Sequence, residues 1–379
     1  MELAQVWAEI RRHQMIKLVK KKQLTTIAVL VILVMMVALP SVGSDSEHQT
    51  LSLATIEPKI LEDNIAIERA ELAVEIAEVE LAEAEDNQND SGDSTYEKYM
   101  NRRYYVKQAE MNLYVAQNTL SETQRSEVLS GGQIYYNYLL LVENIDIKNR
   151  QLLRLNEELN GVNKKIELGA STINDRTSKE LEIAKATYEL MQLQDDKEIL
   201  FLDLNLALRQ DLSTVLVIEG IEIPFEAYAE RDLSTDLDYL LTTNVDLWQL
   251  EKQDELDAIQ LDIYGEFDRD SYESEAKDLT STIKQNALDI ADKQLNLEYE
   301  LRSKYNAVLN GYDSVMIKEL ELDNLKMALE TLTKRFDVGF ETENTVKAAQ
   351  ENFDSGALAV LQAKLDYYVA VETYKNFLN

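Results

Sequence analysis

The chain has 379 residues, with 70 Asp or Glu against 38 Lys or Arg, so its formal net charge is −32. It contains no Cys, which excludes disulfides, a thiol nucleophile, Cys-ligated metal sites and a lipid anchor on cysteine. The negative charge argues against binding to nucleic acid, because the phosphates would be repelled. With 11 Gly and 3 Pro in the whole chain, the composition predicts few turns and long helices.

The N-terminal segment, residues 1–44, differs from the rest because it is basic. Three lysines at 20–22 precede an uncharged run at 24–39, and small residues follow around Gly43. This order is typical of a secretory signal peptide. The apolar run of about 16 residues is short for a membrane span of about 20, so a cleaved signal and a retained N-terminal anchor both stay open. Either one predicts an exported protein on the periplasmic or extracytoplasmic face of the cell envelope.

The remainder of the first half has helical apolar spacing nearly throughout. We predict an amphipathic helix at 60–84, a polar loop, a very long helix at 104–167 and a return helix at 172–212. A linker at 213–235 follows. It contains one extended stretch, 215–225, whose β-branched residues and Pro favour a short strand.

The second half repeats this plan, with helices predicted at 237–262, 275–337 and 343–378. Both long helices end in the same apolar pattern with 3-4-3-4-3 spacing, which is typical of a coiled-coil seam. The pattern consists of Leu152, Leu155, Leu159, Val162, Ile166 and Gly169 in the first half and Leu322, Leu325, Leu329, Leu332, Phe336 and Gly339 in the second. Every position is displaced by 170 residues. We therefore predict tandem repeats at 45–212 and 236–379.

The predicted fold class is all-α, with duplicated long antiparallel hairpins and little or no β structure. A helix of about 60 residues is about 90 Å long, so such hairpins form an elongated stalk. The two turns read Ile166-Glu-Leu-Gly169-Ala-Ser-Thr-Ile-Asn-Asp175 and Phe336-Asp-Val-Gly339-Phe-Glu-Thr-Glu-Asn344. The last helix contains Ala357-Leu-Ala-Val-Leu-Gln-Ala-Lys-Leu-Asp-Tyr-Tyr-Val-Ala. In these residues the chain resembles the TolC-type outer-membrane efflux protein family, over essentially all of 51–379.

The resemblance implies a trimeric helical tunnel that serves as the duct of an efflux or type I secretion system. The hairpin turns would form its entrance and dock onto a membrane-fusion adaptor, which works with a transporter of the inner membrane. Carried over by position, the docking residues are Leu168, Gly169 and Ala170 in the first turn and Val338, Gly339 and Phe340 in the second. The acid that lines the family's constriction corresponds to Asp175.

The sequence departs from the family in two places. The second turn has Thr345 where the acid is expected, so one of the two acidic rings is missing. The segments 85–104 and 262–280, which hold the family's membrane strands, lack the alternation of apolar and polar residues that about 9–11 spanning residues need. We therefore expect a variant without the transmembrane β-barrel.

Other interpretations remain open at this stage. The Gly turns are also explained as helix C-caps without a partner, and Asp175 as an acid that stabilises a helix start. The chain is either an export duct, a structural extracytoplasmic coiled-coil protein without transport activity, or the adaptor itself, although adaptors have one hairpin between β-domains. An enzyme is not expected, because the sequence lacks a phosphate loop, a nucleophile–His pair and a metal cluster. No cofactor is implied.

Overall fold

The computed structural model describes residues 49–89, 95–218, 222–228, 230–266 and 272–379. The predicted signal or anchor segment lies outside these residues. Within the part of the chain that is described, no helix is both long and apolar enough to cross a membrane.

The first half consists of one very long helix with shorter helices before and after it. Its elements are β1 (Gln49–Leu51), α1 (Leu53–Asp63), α2 (Ile65–Asn87), α3 (Thr95–Met100), a π-helical turn (Asn101–Tyr105), α4 (Val106–Glu167) and α5 (Ile173–Ala207). The 62 residues of α4 give a length of about 93 Å at 1.5 Å per residue.

The second half has its helices in the same order. Its elements are β2 (Leu216–Ile218), α6 (Leu233–Thr243), α7 (Val245–Glu266), α8 (Glu273–Asp337) and α9 (Glu343–Leu378). Strand β2 lies within the stretch expected to be extended and pairs in parallel with β1, Gln49 opposite Leu216. The predicted class of long antiparallel helical hairpins is confirmed; the duplication and the repeat boundaries stay predictions.

An Asn interrupts the helix at the same place in each half. Asn64 lies between α1 and α2 with extended backbone, and its Oδ1 accepts hydrogen bonds from the N–H groups of Ala66 and Ile67. Asn244 lies between α6 and α7, and its Oδ1 accepts from the N–H of Leu247. Because each Asn side chain satisfies N–H groups in the first turn of the following helix, each residue ends one helix and caps the next.

In the first half two shorter helices lie end to end along α4. The tip-side part of α4 packs against α5, where Lys148 pairs with Glu189 at 2.8 Å. The other part packs against α2, whose cap Asn64 donates from Nδ2 to Glu127 at 2.8 Å. Arg209 closes the joint between α5 and α2, since its Nη1 bonds Glu68 at 2.7 Å. The first half is thus a pair of antiparallel rods.

The second half has the same construction. Helix α9 packs along the tip-side part of α8, where Lys364 pairs with Glu319 at 3.0 Å. Helix α7 packs along the other part, where Lys293 pairs with Asp246 at 2.7 Å. This half is therefore also two rods, α8 and the α9–α7 rod.

The two halves join through α4 and α9. Tyr136 of α4 lies edge-on to Tyr368 of α9 with ring centroids 6.1 Å apart. A core cluster there combines residues of α1, α4, α5, the linker and α9, among them the fully buried Ile56 and Leu204. The four rods consequently lie side by side in the order α5–α2, α4, α9–α7 and α8. Within the described residues, the first and last rods have no neighbour on one side.

Glycines in the long helices allow close approach of neighbouring chain segments. Helix α4 is continuous through Gly131 and Gly132, so these glycines do not break it. A Cβ built on Gly131 would overlap Cδ1 of Ile60, and one on Gly311 would lie 3.2 Å from Cα of Tyr367. By contrast, a Cβ at Gly161 would meet nothing within 4 Å.

We predict that Gly131→Ala and Gly161→Ala change the stability in opposite directions, although both lie in α4. The first places a methyl group on Cδ1 of Ile60, which is buried in the core cluster and has little room to turn away; overpacking of about 1–3 kcal/mol should outweigh the gain of about 0.5–1 kcal/mol from replacing a helical glycine. The second removes a poor helix former in open space and should gain about 0.5–1 kcal/mol. Urea unfolding followed by circular dichroism measures both, and a stable Gly131→Ala protein would contradict the packing of α1 on α4.

Candidate functional site at the hairpin tips

The first hairpin tip is a tight turn after α4. The N–H of Gly169 donates to the carbonyl of Ile166 at 2.9 Å, and the N–H of Ala170 donates to that of Lys165 at 2.7 Å. This pair of bonds is the Schellman motif, which satisfies the last carbonyls of a helix and requires a left-handed residue between them. Gly169 supplies it with φ of +72°.

The second tip has the same geometry. Gly339 donates to Phe336 at 2.9 Å, Phe340 donates to Arg335 at 2.8 Å, and φ of Gly339 is +80°. A Cβ at either tip glycine would have nothing within 4 Å. Glycine is therefore needed at both tips for its backbone conformation and not for space.

Apolar side chains at both tips face solvent. Leu168 is 83% exposed, Phe340 is 77% exposed and Val338 is 67% exposed, and Ala170 is exposed beside them. Large apolar side chains gathered at one place on a surface indicate a contact with another molecule. Each of the two predicted docking turns therefore exposes apolar side chains to solvent.

Both hairpin tips lie at the same end of the row of rods. Nζ of Lys347, near the start of α9, pairs with Glu157 of α4 at 2.7 Å. Arg154 pairs with Glu351 farther from the tips. Counted along α4 and α9 from these pairs, Gly169 lies about one helical turn, on the order of 5 Å, beyond Gly339. The first tip therefore projects past the second.

Ion pairs between α4 and α9 hold the two hairpins together behind the tips. Arg154 donates from Nε and Nη2 to the two carboxylate oxygens of Glu351, at 2.8 and 2.9 Å, and from Nη1 to Glu158. The Arg154 and Glu351 side chains are only 13% and 11% exposed. Burial alone raises the pKa of Glu158, but hydrogen bonds from Lys179 and Arg154 hold that pKa below its ordinary value. A bidentate ion pair that is shielded from water is geometrically specific. It therefore fixes how far α4 and α9 are displaced along each other.

Asp175 lies in a capping box at the start of α5. Its Oδ2 accepts hydrogen bonds from the N–H of Thr172 and the hydroxyl of Ser171, both at 2.8 Å, and its N–H donates to Thr172 Oγ1. The bond from the Thr172 backbone, followed by that from Ser171, lowers the pKa of Asp175. At the other tip Thr345 donates its N–H to Thr342 Oγ1, and the two hydroxyls lie 2.9 Å apart. The missing acid is thus replaced by a neutral cap.

We predict that the two return helices respond differently to acid. Because the pKa of Asp175 is lowered on folding, its cap stabilises α5 at neutral pH, and this stabilisation is lost as the pH falls through the lowered pKa. The start of α9 has no carboxylate in its cap and should respond less, through the exposed ion pair of Glu343 with Lys347. Amide exchange at the two helix starts between neutral and acid pH measures the difference, and Ser171→Ala should raise the pKa of Asp175 in an NMR titration. Equal responses at both tips would contradict this assignment.

The two outer rods carry exposed apolar stripes that the sequence reading did not locate. The first edge, on α2 and α5, includes Leu72, Ile76, Val79, Tyr188, Ile199 and Leu206. The second edge, on α8, includes Leu288, Leu295, Leu309, Met316, Leu320 and Met327. By the helical period, the second edge lies on average about 110° around α8 from the buried Leu301 and Val308, which face the rest of the chain. Along α4, α7 and α9, all fully described, the exposed large apolar side chains are Tyr114 and Leu153.

The comparisons with known proteins agree with this architecture of paired helical rods. No family model matches the sequence, and no curated protein matches it. Solved structures match in fold. A membrane protein from Pseudomonas aeruginosa matches with a TM-score of 0.67 at 11% identity, covering 90% of this chain and 98% of that one. The outer membrane protein VceC from Vibrio cholerae gives 0.64 at 13% identity, covering 86% and 95%. The outer-membrane channel OprN gives 0.66 at 12% identity, covering 86% and 89%. The chain has the TolC-type helical-stalk fold.

Proposed function

We propose that the chain is one subunit of an export duct, a closed ring of helices that docks through its hairpin tips onto a membrane-fusion adaptor. The observation that carries this proposal is the position of the exposed apolar stripes. They follow the two outer rods, at the two edges where the row of four rods stops. An uncovered stripe of this length is unfavourable in water, so another surface of matching pattern is expected to cover it.

The two edges are different surfaces, which determines how copies can pair. When the first edge of one copy covers the second edge of the next, every copy uses both edges. Contacts of this head-to-tail type close into a ring if the rotation between copies allows it. The antiparallel alternation of the rods also continues across the joint, since α5 and α2 run opposite to α8. Three copies would give a ring of twelve rods, as the family resemblance implies.

Contacts within the chain show which residues of the two edges lie at the same height, measured along the axis of the rods. Asn64 bonds Glu127, so Leu72, two turns farther along α2, lies level with the part of α4 near residue 119. In that region Tyr114 packs on Trp248 with ring centroids 4.2 Å apart. Close to Trp248, Asp246 pairs with Lys293 of α8. Leu72 and Leu295 are therefore level to within one helical turn, and rotation about a ring axis preserves height.

We predict that Leu72→Cys combined with Leu295→Cys gives covalent oligomers on oxidation. The natural chain has no cysteine, so the two introduced thiols are the only ones that react. Denaturing electrophoresis should show a ladder that stops at the ring number, with three expected. Leu72→Cys alone should not crosslink, because equivalent residues do not meet in a head-to-tail contact. Leu72→Cys with Met327→Cys is the mismatched control, because 327 lies about 48 Å along α8 from 295.

The tips are the proposed docking surface for the adaptor. Leu168, Val338 and Phe340 point into solvent at the end where both hairpins turn, and burying such side chains contributes about 1.5–3 kcal/mol each. The role of Asp175 as a lumen acid is part of the same proposal, beside its cap. The partner transporter would lie in the inner membrane. The basic N-terminal segment supports export to the cell envelope.

We predict that a photo-crosslinker attached to Phe340→Cys captures an adaptor protein in cells. The same reagent on Leu153→Cys, which is also exposed but lies on an inner rod, should not. Phe340→Asp, with the crosslinker on Ala170→Cys in the other turn, should reduce capture, because a charge replaces the apolar contact. If no envelope protein is captured from either tip, docking is wrong, and the alternative of a structural coiled-coil protein without transport is favoured.

A further inference from the structure

We propose that a tyrosine-lined cavity beside α8 receives the side chain of Leu206 from a neighbouring copy of this chain. The inference rests on the proposed ring and names a contact that sets the register of its subunit interface. It follows from the lining of the cavity, from the exposure of Leu206, and from the equal heights of Leu206 and the cavity along the rod axis.

The cavity has a volume of about 680 Å³ and lies between α8 and the linker. Aromatic and apolar side chains form its wall along α8 and α9, with Tyr305, Leu309, Tyr312 and Tyr367, and the charged Glu230, Arg231 and Asp232 of the linker form its opposite rim. Leu309 is itself a residue of the second edge and is half exposed. The cavity is therefore continuous with the stripe that a second copy is proposed to cover.

Hydrogen bonds hold the cavity in shape without a partner. The hydroxyl of Tyr367 accepts from the N–H of Tyr228 at 2.7 Å and donates to the carbonyl of Glu226 at 3.0 Å. Next to it, Phe225 stacks on Tyr312 with ring centroids 5.8 Å apart. The linker is thus fixed against α9 and α8, and little has to be ordered when a side chain enters, which favours binding.

Leu206 is the exposed apolar residue of the first edge that best fits this place. It is 68% exposed and lies on the side of α5 opposite Leu204, which is fully buried against the rest of the chain. It therefore points away from its own subunit. A leucine brings no polar group of its own into the cavity, and the charged residues of the rim are exposed to solvent, so the leucine can bury against the aromatic wall.

The heights of Leu206 and the cavity agree. Leu204 lies in the same core cluster as Tyr136, and Tyr136 contacts Tyr368. The adjacent Tyr367 lies 3.2 Å from the Cβ position of Gly311 on α8. This path crosses all four rods at one level, and it ends beside Leu309 and Tyr312. Since ring rotation preserves height, Leu206 of one copy reaches α8 of the next at the level of the cavity.

The test is a disulfide between Leu206→Cys and Leu309→Cys in the full chain. We expect crosslinking between copies upon oxidation, and none for Leu206→Cys alone. Leu206→Cys with Leu288→Cys is the control, because 288 belongs to the same stripe but lies about 31 Å from 309 along α8. If Leu72→Cys crosslinks to Leu295→Cys while the 206–309 pair does not, the cavity proposal is wrong and the ring stands. If neither pair reacts, the ring is wrong as well.

A second measurement separates the cavity contact from general adhesion of the edges. Leu206→Ala should weaken assembly at least about tenfold per interface, because a buried leucine side chain is lost. Leu153→Ala removes an equally exposed leucine, at 68%, from an inner rod and should leave assembly unchanged. Analytical ultracentrifugation measures both. Equal dissociation constants for the two variants would overturn the proposal and leave the cavity to some other occupant, such as a small apolar molecule.

Discussion

The structure depends on one constraint, that a helix of more than 60 residues must have its apolar side chains covered along its length. An isolated helix gains little from its own hydrogen bonds in water, and most of its stability comes from packing of an apolar face. Here the solution is a row of four rods in which each inner rod has a neighbour on both sides. The outer rods, α5–α2 and α8, are covered on one side only. The proposed assembly would therefore extend the same packing that folds the subunit.

The sequence was sufficient to predict the rods themselves. Helical apolar spacing, the near absence of Gly and Pro and the matched seams ending at Gly169 and Gly339 indicated the long hairpins, because these signals are local. Which rods are inner and which are outer was not predictable in this way. A stripe on α4 that packs against α9 looks the same in sequence as a stripe on α8 that is exposed. Only contacts between residues far apart in the chain, such as Arg154 with Glu351, distinguish the two.

The tips show the same division between local and distant information. The two tip glycines were predicted from spacing, and their positive φ follows from the geometry of a Schellman turn. Asp175 stands at a helix start, as one interpretation of the sequence had it, and forms a capping box with Thr172 there. Arg209 was not anticipated. It adopts φ of +49° at the end of α5, where glycine is the usual residue, and its side chain bridges to Glu68 across the joint with α2. A distant salt bridge leaves no local pattern, so the sequence alone could not indicate it.

The unequal reach of the two hairpins has a consequence for any ring built from them. The hairpin tips at the end of the ring would alternate in length, because the first hairpin of each subunit reaches farther than the second. A partner with identical fingers could then seat all of them only if it accommodated both lengths. Rotating that partner by one hairpin position would place the element that fits a long hairpin over a short one. Half of the contacts would then be lost. The offset of one helical turn would thus determine how the partner is rotated relative to the ring of this chain.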